Sequence, residues 1–355
     1  MKDAVKVVVL GTGQMGSGII KLLLEKQGLE LAGVYGRRAE RGGIDVGEAV
    51  GLGRKIGIKL TDDLPGLLEA VAPDLVVQAT CSKVIQAVDE IRTVLGHGAN
   101  MVTIAEEMSF PAYETPRLAN EIHQLALDKG VSVVGTGINP GFILDLLVIA
   151  LTGVCYRVES ITAKRINDLS PYGPSVLTTQ GVGITPEAFK KGVEDGTVVG
   201  HFGFNESISM IARALGWKID RIDQNREPII SRVKRETPFV KIEPGLTAGC
   251  THTAVAYVEG RPVINLVHPQ QVHPHLESVQ TGDYIDIKGK PDVSFSGSPE
   301  IPGGIGTIAL AVNMIPQVIN SAPGLKSMAD LPVPAAIMGD VRTLIREVDE
   351  VRSHV

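Results

Sequence analysis

Along the first 140 residues, apolar runs and polar stretches alternate with two different periods. Val5 to Leu10 is a continuous β-branched and apolar run, the pattern of a strand buried on both faces. From Gln14 to Lys26 the apolar positions fall at Met15, Ile19, Ile20, Leu23 and Leu24, which is one face of a helix. Residues 29–35, 74–80 and 100–105 read as further strands, with an amphipathic helix at 83–95 between the last two. A helix over about 116–129 then precedes a strand at 131–134. This succession predicts a parallel sheet covered by helices, with right-handed connections. After the turn at 135–141 the period changes. Stretches such as 158–165, 253–258 and 284–287 are strand-like, and one amphipathic helix at about 206–215 interrupts them. Pro302-Gly303-Gly304 then opens an apolar helix over 305–319, expected to pack back against the first part of the chain.

Length and composition narrow the picture. The 355 residues are enough for two lobes, and 44% hydrophobic with 21% charged residues excludes a mainly disordered chain. A formal net charge of −6 argues against a general nucleic-acid-binding role, which wants a basic field. Forty glycines with 4% aromatics point to an α/β enzyme rich in tight turns. Cys81, Cys155 and Cys250 are far apart and odd in number, so no disulfide framework or paired-cysteine metal site is implied. The chain runs straight into its first strand, and its most apolar stretch, 146–156, is roughly half the ~20 residues of a membrane span. A cytoplasmic protein without membrane partners is expected. The run His268-Pro-Gln-Gln-Val-His-Pro-His275 resembles a metal tract, but its prolines and the lack of a carboxylate or cysteine partner favour a loop, so no metal is expected.

Gly11-Thr12-Gly13-Gln14-Met15-Gly16 sits where a strand hands over to a helix. The first glycine permits the turn, the second lets backbone approach a pyrophosphate, and the third lets helix and strand pack closely. The phosphates would lie at the helix N-terminus, where free N–H groups and the dipole favour negative charge. The fold expected is therefore α/β: a Rossmann dinucleotide-binding domain (1–141), an α+β substrate-binding and dimerisation domain with an open mixed sheet (142–302), and a C-terminal helical segment returning to the first domain (303–355). Where NAD-binding chains place a ribose-binding acid after the second strand, this one has Tyr35-Gly36-Arg37-Arg38. Two guanidinium groups suit a 2′-phosphate or stacking on adenine; the alternative is a pair of solvated loop charges. NADP or NAD is the expected cofactor. Thr80-Cys81-Ser82 follows the next central strand, on the edge where ligands bind, and no base adjoins Cys81 in sequence.

The segment Met101-Val-Thr-Ile-Ala-Glu106-Glu107 ends a strand with two carboxylates on that same edge. They suit ordinary surface or helix-start chemistry, and they also suit a specific reaction. Oxidising a C–N bond by hydride transfer needs a neutral amine, so a base must first deprotonate the ammonium, and the iminium must then be attacked by water, which the same base can activate. Alcohol oxidation would more naturally use a histidine or lysine, and neither follows this strand.

These residues carry a resemblance. The glycine turn, VTIAEEM (Val102–Met108), GINPGF (Gly137–Phe142), RINDLSPYGPSV (Arg165–Val176), QGVG (Gln180–Gly183), GHFGFNESI (Gly200–Ile208) and APGLKSMADLP (Ala322–Pro332) make the chain resemble the 2,4-diaminopentanoate dehydrogenases along nearly its whole length. Their relatives are the native amine dehydrogenases, within a wider dihydrodipicolinate-reductase-like and homoserine-dehydrogenase-like group. The resemblance implies oxidative deamination of the C4 amine of 2,4-diaminopentanoate to 2-amino-4-oxopentanoate, with release of ammonia and reduction of NAD(P), in ornithine fermentation. It implies a catalytic glutamate at this strand end. Laying the lysine of the homoserine dehydrogenases' VTANK-like segment on the chain puts it at Glu106, which ranks Glu106 above Glu107. The stretch 161–176 lacks the histidines and SGT motif of the dihydrodipicolinate reductases, which disfavours that activity.

For a substrate with a carboxylate and a second ammonium, Arg165 is the expected carboxylate clamp, with Asn167, Tyr172, Thr178 and His201 lining the pocket. Asp168, Asn205 and Glu206 are further polar candidates, and Asn139 with Pro140 is placed near the nicotinamide. A homodimer through the second domain's sheet is expected, because an open sheet face needs covering. Two other readings remain: a reductase of a different carbonyl or imine, or a non-catalytic nucleotide sensor. The paired carboxylates and the RINDLSPYG segment argue against the sensor.

Overall fold

The computed structural model describes residues 3–346; residues 1–2 and 347–355, and with them the end of the expected 303–355 segment, lie outside the described residues. The chain divides into two compact units, residues 1–142 with 303–355, and residues 143–302.

The first unit begins with β1 (Val5–Leu10), α1 (Gln14–Glu25) and β2 (Leu29–Tyr35), then a short α2 (Val46–Ala49), β3 (Leu60–Thr61) and α3 (Leu64–Val71). It continues through β4 (Leu75–Gln78), α4 (Val84–Gly96), β5 (Asn100–Thr103), α5 (Pro116–Lys129) and β6 (Ser132–Gly135). Val7, Val8, Val9 and Leu10 of β1 are fully buried, as expected for a central parallel strand. β4 stops at Gln78 and β5 at Thr103, two residues short of the sequence expectation for each. β4's neighbour β1 pairs Leu10 with Gln78 and then turns away at Gly11, while β5, between β4 and β6, stops with its last pairings, Thr103 to Gln78 and to Gly135. The elements β3, α2 and α3, for which no pattern was read, fill the stretch between β2 and β4.

The second unit opens with α6 (Leu146–Thr152) and β7 (Arg157–Asp168), then three helices, α7 (Pro174–Thr179), α8 (Pro186–Asp195) and α9 (Phe204–Leu215). Only α9 is anticipated by hydrophobic period. α8 is charged over much of its length, yet it carries start and stop signals: the Thr185 hydroxyl caps Ala188 N–H, Pro186 opens the first turn, and Gly196 closes it at φ +78°. The strands β8 (Arg221–Ile230), β9 (Arg235–Glu236), β10 (Lys241–Ile242), β11 (Thr247–Val258), β12 (Arg261–Gln271), β13 (Gly282–Lys290) and β14 (Val293–Gly297) complete the unit. Six of its strands form a sheet in the order β14-β13-β7-β12-β11-β8, in which β7–β12 is the parallel pair and the other neighbours are antiparallel. Alternate residues of β7, including Ile161, Ala163, Arg165 and Asn167, are buried, whereas Thr162, Lys164 and Ile166 on the other face are half-exposed.

The chain then returns to the first unit with α10 (Gly303–Asn313), α11 (Ile315–Ile319) and β15 (Gly324–Lys326). The single helix expected over 305–319 is two, because Pro316 in the first turn of α11 has no N–H to continue the ladder. α10 lies on α1, with Ile308 against the bare Gly18 backbone. β15 joins β6 as an added parallel strand, giving the order β15-β6-β5-β4-β1-β2-β3. The order reverses beside β1, so a crevice forms outside the carboxyl ends of β1 and β4, where such sheets bind ligands. No helix among the described residues is long and apolar enough to cross a membrane.

Candidate active site

The turn after β1 shows three distinct glycine roles. Gly11 adopts φ +105°, and a side chain at Gly16 would overlap the Gly11 carbonyl. A Cβ on Gly13, by contrast, would meet nothing within 4 Å, and Gly13 caps α1 with no side chain over the first N–H groups. An open, uncapped N-terminus beside a bare backbone can take a pyrophosphate without rearrangement. Gln14 and Met15 form the first turn of that helix.

Arg37 and Arg38, paired in the sequence reading, have separate fates. Both are exposed, but Arg37 is also tied to the body of the unit: its Nε donates to Glu90 Oε1 at 2.6 Å, and its Nη2 reaches Gln86 O at 2.9 Å and Thr80 Oγ1 at 3.2 Å. Glu90, on α4, also accepts from Thr80 Oγ1 at 2.6 Å and from Gln78. The arginine nearest the glycine turn is one for which sequence reasoning gave no role. Arg41 Nη1 donates to Thr12 Oγ1 at 2.8 Å while Nη2 holds Ala49 O at 3.1 Å. The signal was available, a third arginine three residues after the expected pair. Burial pushes the Cys81 thiol up from its ordinary value, so it is a poor nucleophile.

The two adjacent glutamates are also distinct. Glu107 Oε2 accepts from Val84 N–H at 2.8 Å, so this carboxylate caps the start of α4. No cap by the Glu106 carboxylate is made among the described residues. Burial drives its carboxyl above the usual carboxylate range; its own backbone N–H and the Ser82 hydroxyl oppose the shift, and the Glu107 charge adds to it. Asn139 follows β6 on the same edge, in a turn where Ile138 N–H donates to Thr307 Oγ1 at 3.1 Å and Gly141 adopts φ +125°.

In the second unit, strands far apart in sequence bring polar side chains into one buried cluster. Arg165 is 2% exposed; its Nη1 donates to Asp283 Oδ1 at 2.7 Å and its Nη2 to the Ile301 carbonyl. Asn167 Oδ1 accepts from His268 Nε2 at 2.9 Å. The His201 ring stacks edge-on against His268 at 4.8 Å and Phe204 at 4.9 Å, and its buried Nε2 makes no hydrogen bond among the described residues. His252 Nδ1 accepts from His201 N–H at 3.0 Å, which leaves Nε2–H to donate to Gln224 Oε1 at 2.9 Å. Burial keeps all three rings neutral: His201 and His268 fall well below the ordinary histidine value, and His252 is pushed down to about 3. The Tyr172 phenol is pushed up by burial and feels the charges of Arg165, Glu300 and Asp168. Thr178 lies exposed on α7, where no hydrogen bond of its hydroxyl among the described residues ties it to this cluster. Asp168 turns to the loop after β12, Asn205 accepts from Gln224 at 2.7 Å, and Glu206 is buried in α9. His252 and Asp283 carried no motif, and His268 was read only as the start of the His268–His275 run, not as part of a substrate site.

A parallel sheet with an uncapped glycine turn at its switch point and a burial-raised carboxylate further along the same carboxyl edge has the make-up of a dinucleotide-binding oxidoreductase. Comparison with known proteins narrows the class. Residues 142–347 match the family profile described as 2,4-diaminopentanoate dehydrogenase C-terminal domain, and residues 5–104 match the one described as dihydrodipicolinate reductase, N-terminus. A 2,4-diaminopentanoate dehydrogenase from Acetoanaerobium sticklandii is 48% identical, over 97% of this chain and 98% of its own length. An amine dehydrogenase from Streptomyces virginiae is 25% identical over 94% of the chain and 98% of its own. Among solved structures, the amine dehydrogenase from Mycobacterium smegmatis superposes with a TM-score of 0.83 at 28% identity, covering 93% of this chain and 97% of that one. The chain belongs to the 2,4-diaminopentanoate dehydrogenase family, a group of oxidoreductases acting on CH–NH2 groups.

Proposed function

We propose that this protein catalyses oxidative deamination of the C4 amine of 2,4-diaminopentanoate to 2-amino-4-oxopentanoate, with release of ammonia and reduction of NAD(P), as a cytoplasmic homodimer in ornithine catabolism. The observation that carries the chemistry is Glu106, a carboxylate lifted by burial at the carboxyl edge of the parallel sheet. The open Gly13 backbone and the bare N-terminus of α1 fit the pyrophosphate of a nicotinamide dinucleotide, and Arg41 beside Thr12 suits its adenosine end. When bound, the nicotinamide accepts the hydride from C4. Glu106 takes the proton of the C4 ammonium before that transfer, which an ordinary carboxylate would do less readily. Once relieved of this proton it deprotonates the water that attacks the iminium carbon, and ammonia departs. The whole conversion consumes the ammonium substrate, oxidised cofactor and one water, and yields ketone, ammonium ion, reduced cofactor and one proton. Glu107 holds α4 in register beside this group.

In the second unit, Arg165 is assigned to the substrate carboxylate through the N–H groups not spent on Asp283 and Ile301, with Asn167, Tyr172 and His201 around it and Thr178 on the neighbouring helix. The pairing of Arg165 with Asp283 favours a second reading, a broader amine dehydrogenase in which that charge is already balanced and no carboxylate is required. The half-exposed sheet face of β7 is the surface assigned to the dimer.

The test is nicotinamide reduction at alkaline pH with 2,4-diaminopentanoate, simple aliphatic amines and homoserine, each with NAD and NADP. Turnover of the diamino acid alone supports the first reading, and turnover of simple amines as well supports the second. Silence on every amine, with cofactor binding intact, overturns both.

A further inference from the structure

The run from His268 to His275 lacks an acid in sequence, but the fold supplies one. β7 and β12 lie parallel with Asp168 opposite Gln271, so the two loops that leave these strands start side by side. One carboxylate oxygen of Asp168 and one ring nitrogen each of His273 and His275 come within 4.8 Å of one another.

The hydrogen bonds around His273 orient it as a ligand. Its Nε2 lies 2.9 Å from the Glu236 carbonyl, which can only accept, so Nε2 carries the proton and Nδ1 the lone pair. Nδ1 faces Ser170 Oγ at 2.9 Å, and that hydroxyl lies 2.5 Å from Asp168 Oδ1. A histidine whose one ring N–H is held by a backbone carbonyl, leaving a lone pair on the other nitrogen, is the usual arrangement of a metal-binding imidazole, and here a rotation of the Ser170 hydroxyl away from Nδ1 would free that lone pair. The remaining hydrogen bonds to Asp168, from Ser170 N–H and His273 N–H, also fall on Oδ1, so among the described residues Oδ2 is uncommitted. His275 is exposed, its ring edge-on to His273 with centroids 5.4 Å apart. Ligand bonds of about 2.0–2.1 Å place tetrahedral ligand atoms roughly 3.4 Å apart, so closing the site takes about an ångström of movement, which an exposed side chain can supply by a rotamer change. Beside it lies a cavity of about 470 Å³, bordered by Asp168, His275 and Glu300, with room for water to complete the coordination.

We propose that Asp168, His273 and His275 form a binding site for a divalent transition-metal ion of the zinc type. Two imidazoles, which are borderline donors, with one carboxylate suit Zn²⁺ or Co²⁺, whereas Ca²⁺ and Mg²⁺ want oxygen alone. The ion would clamp the end of β7, the strand that carries Arg165 and Asn167, to the loop that follows β12. The site is independent of the deamination assignment, because it is read by metal binding alone.

The experiment is titration of tag-free, metal-stripped protein with zinc by calorimetry, repeated with cobalt by visible absorption, on the wild type and on His275→Ala. The expected result is one zinc per chain, tetrahedral cobalt bands, a zinc-dependent rise in Tm, and at least a tenfold loss of affinity in His275→Ala. Because His275 is exposed, that variant folds; Asp168→Asn is expected to weaken binding to a similar degree. Absence of saturable binding, or equal affinity in wild type and His275→Ala, overturns the proposal.

Discussion

The two units treat buried charge in opposite ways. In the second, Arg165 and Asp283 have side chains 2% and 3% exposed that face each other at 2.7 Å, and the three histidine rings of the same buried cluster stay neutral. In the first, no cation among the described residues faces Glu106; its own N–H and the Ser82 hydroxyl oppose the rise that burial causes, while Glu107 adds to it. A balanced pair holds a binding surface still, whereas an unbalanced carboxylate stays ready to take up a proton. Burial raises the Asp283 carboxyl too, but there Arg165 opposes the rise.

The largest effect that would break this contrast lies at Glu106. Glu106→Gln is expected to lower kcat for deamination by about 10²–10⁴-fold while leaving cofactor binding, read by fluorescence titration, unchanged. Its effect on stability has the opposite sign. Since Glu106 titrates higher in the folded chain than in the unfolded one, the fold loses stability as pH rises through the raised value. The glutamine variant is therefore expected to show a higher Tm than wild type at alkaline pH, and deamination by the wild type to fall away as pH drops through that value. Glu107→Gln should do the reverse, keeping most activity and losing about 1 kcal/mol of stability with its helix cap.

Next in size is the paired side of the comparison. Arg165→Met leaves Asp283 buried without a partner and is expected to cost about 3–5 kcal/mol in denaturant unfolding. Adding Asp283→Leu should recover most of that loss while kcat/KM for the diamino acid stays low. If the double variant regains catalysis as well, the arginine serves the fold alone.

A smaller effect is expected at low pH. His252 binds a proton in the unfolded chain near its ordinary value but in the folded chain only at about 3, so stability declines as pH falls from about 6.5 toward 3. His252→Asn should flatten this acid limb, measured as the difference between Tm at about pH 7.5 and about pH 4.5. The smallest effect sharpens the cofactor reading. Arg41→Ala is expected to raise the Kd of NADP about tenfold more than that of NAD, the scale of one charge-assisted hydrogen bond. Arg37→Ala, whose guanidinium is spent on Glu90, should not discriminate between them.

The contrast also explains what the sequence discloses. The first unit's site is made largely by backbone at a turn and a strand end, so consecutive residues such as Gly11–Gly16 and Glu106-Glu107 display it directly. The second unit's cluster draws Arg165, His201, His252, His268 and Asp283 from separate strands and loops, and no local spacing encodes their meeting. Arg165 and Asn167 stood out within one segment, but the acid that neutralises Arg165 lies 118 residues further on. Asp168, the acid found missing from the His268–His275 run, lies 105 residues before His273. A shorter separation, 29 residues, hid the third arginine's partner: Arg41 matters because the fold lays it across Thr12.

One feature of the connectivity bears on how the chain is made. β15 pairs with β6, and α10 covers α1, although residues 143–302 intervene. On a ribosome adding about 5–20 residues per second, the second unit is synthesised in full before the first receives its last strand and helix, a wait on the order of ten seconds or more. Through that interval the nascent first unit exposes the edge of β6 and the small-residue face of α1 at Gly18. The chain thus depends, during its own birth, on whatever shields an unfinished sheet edge from its neighbours.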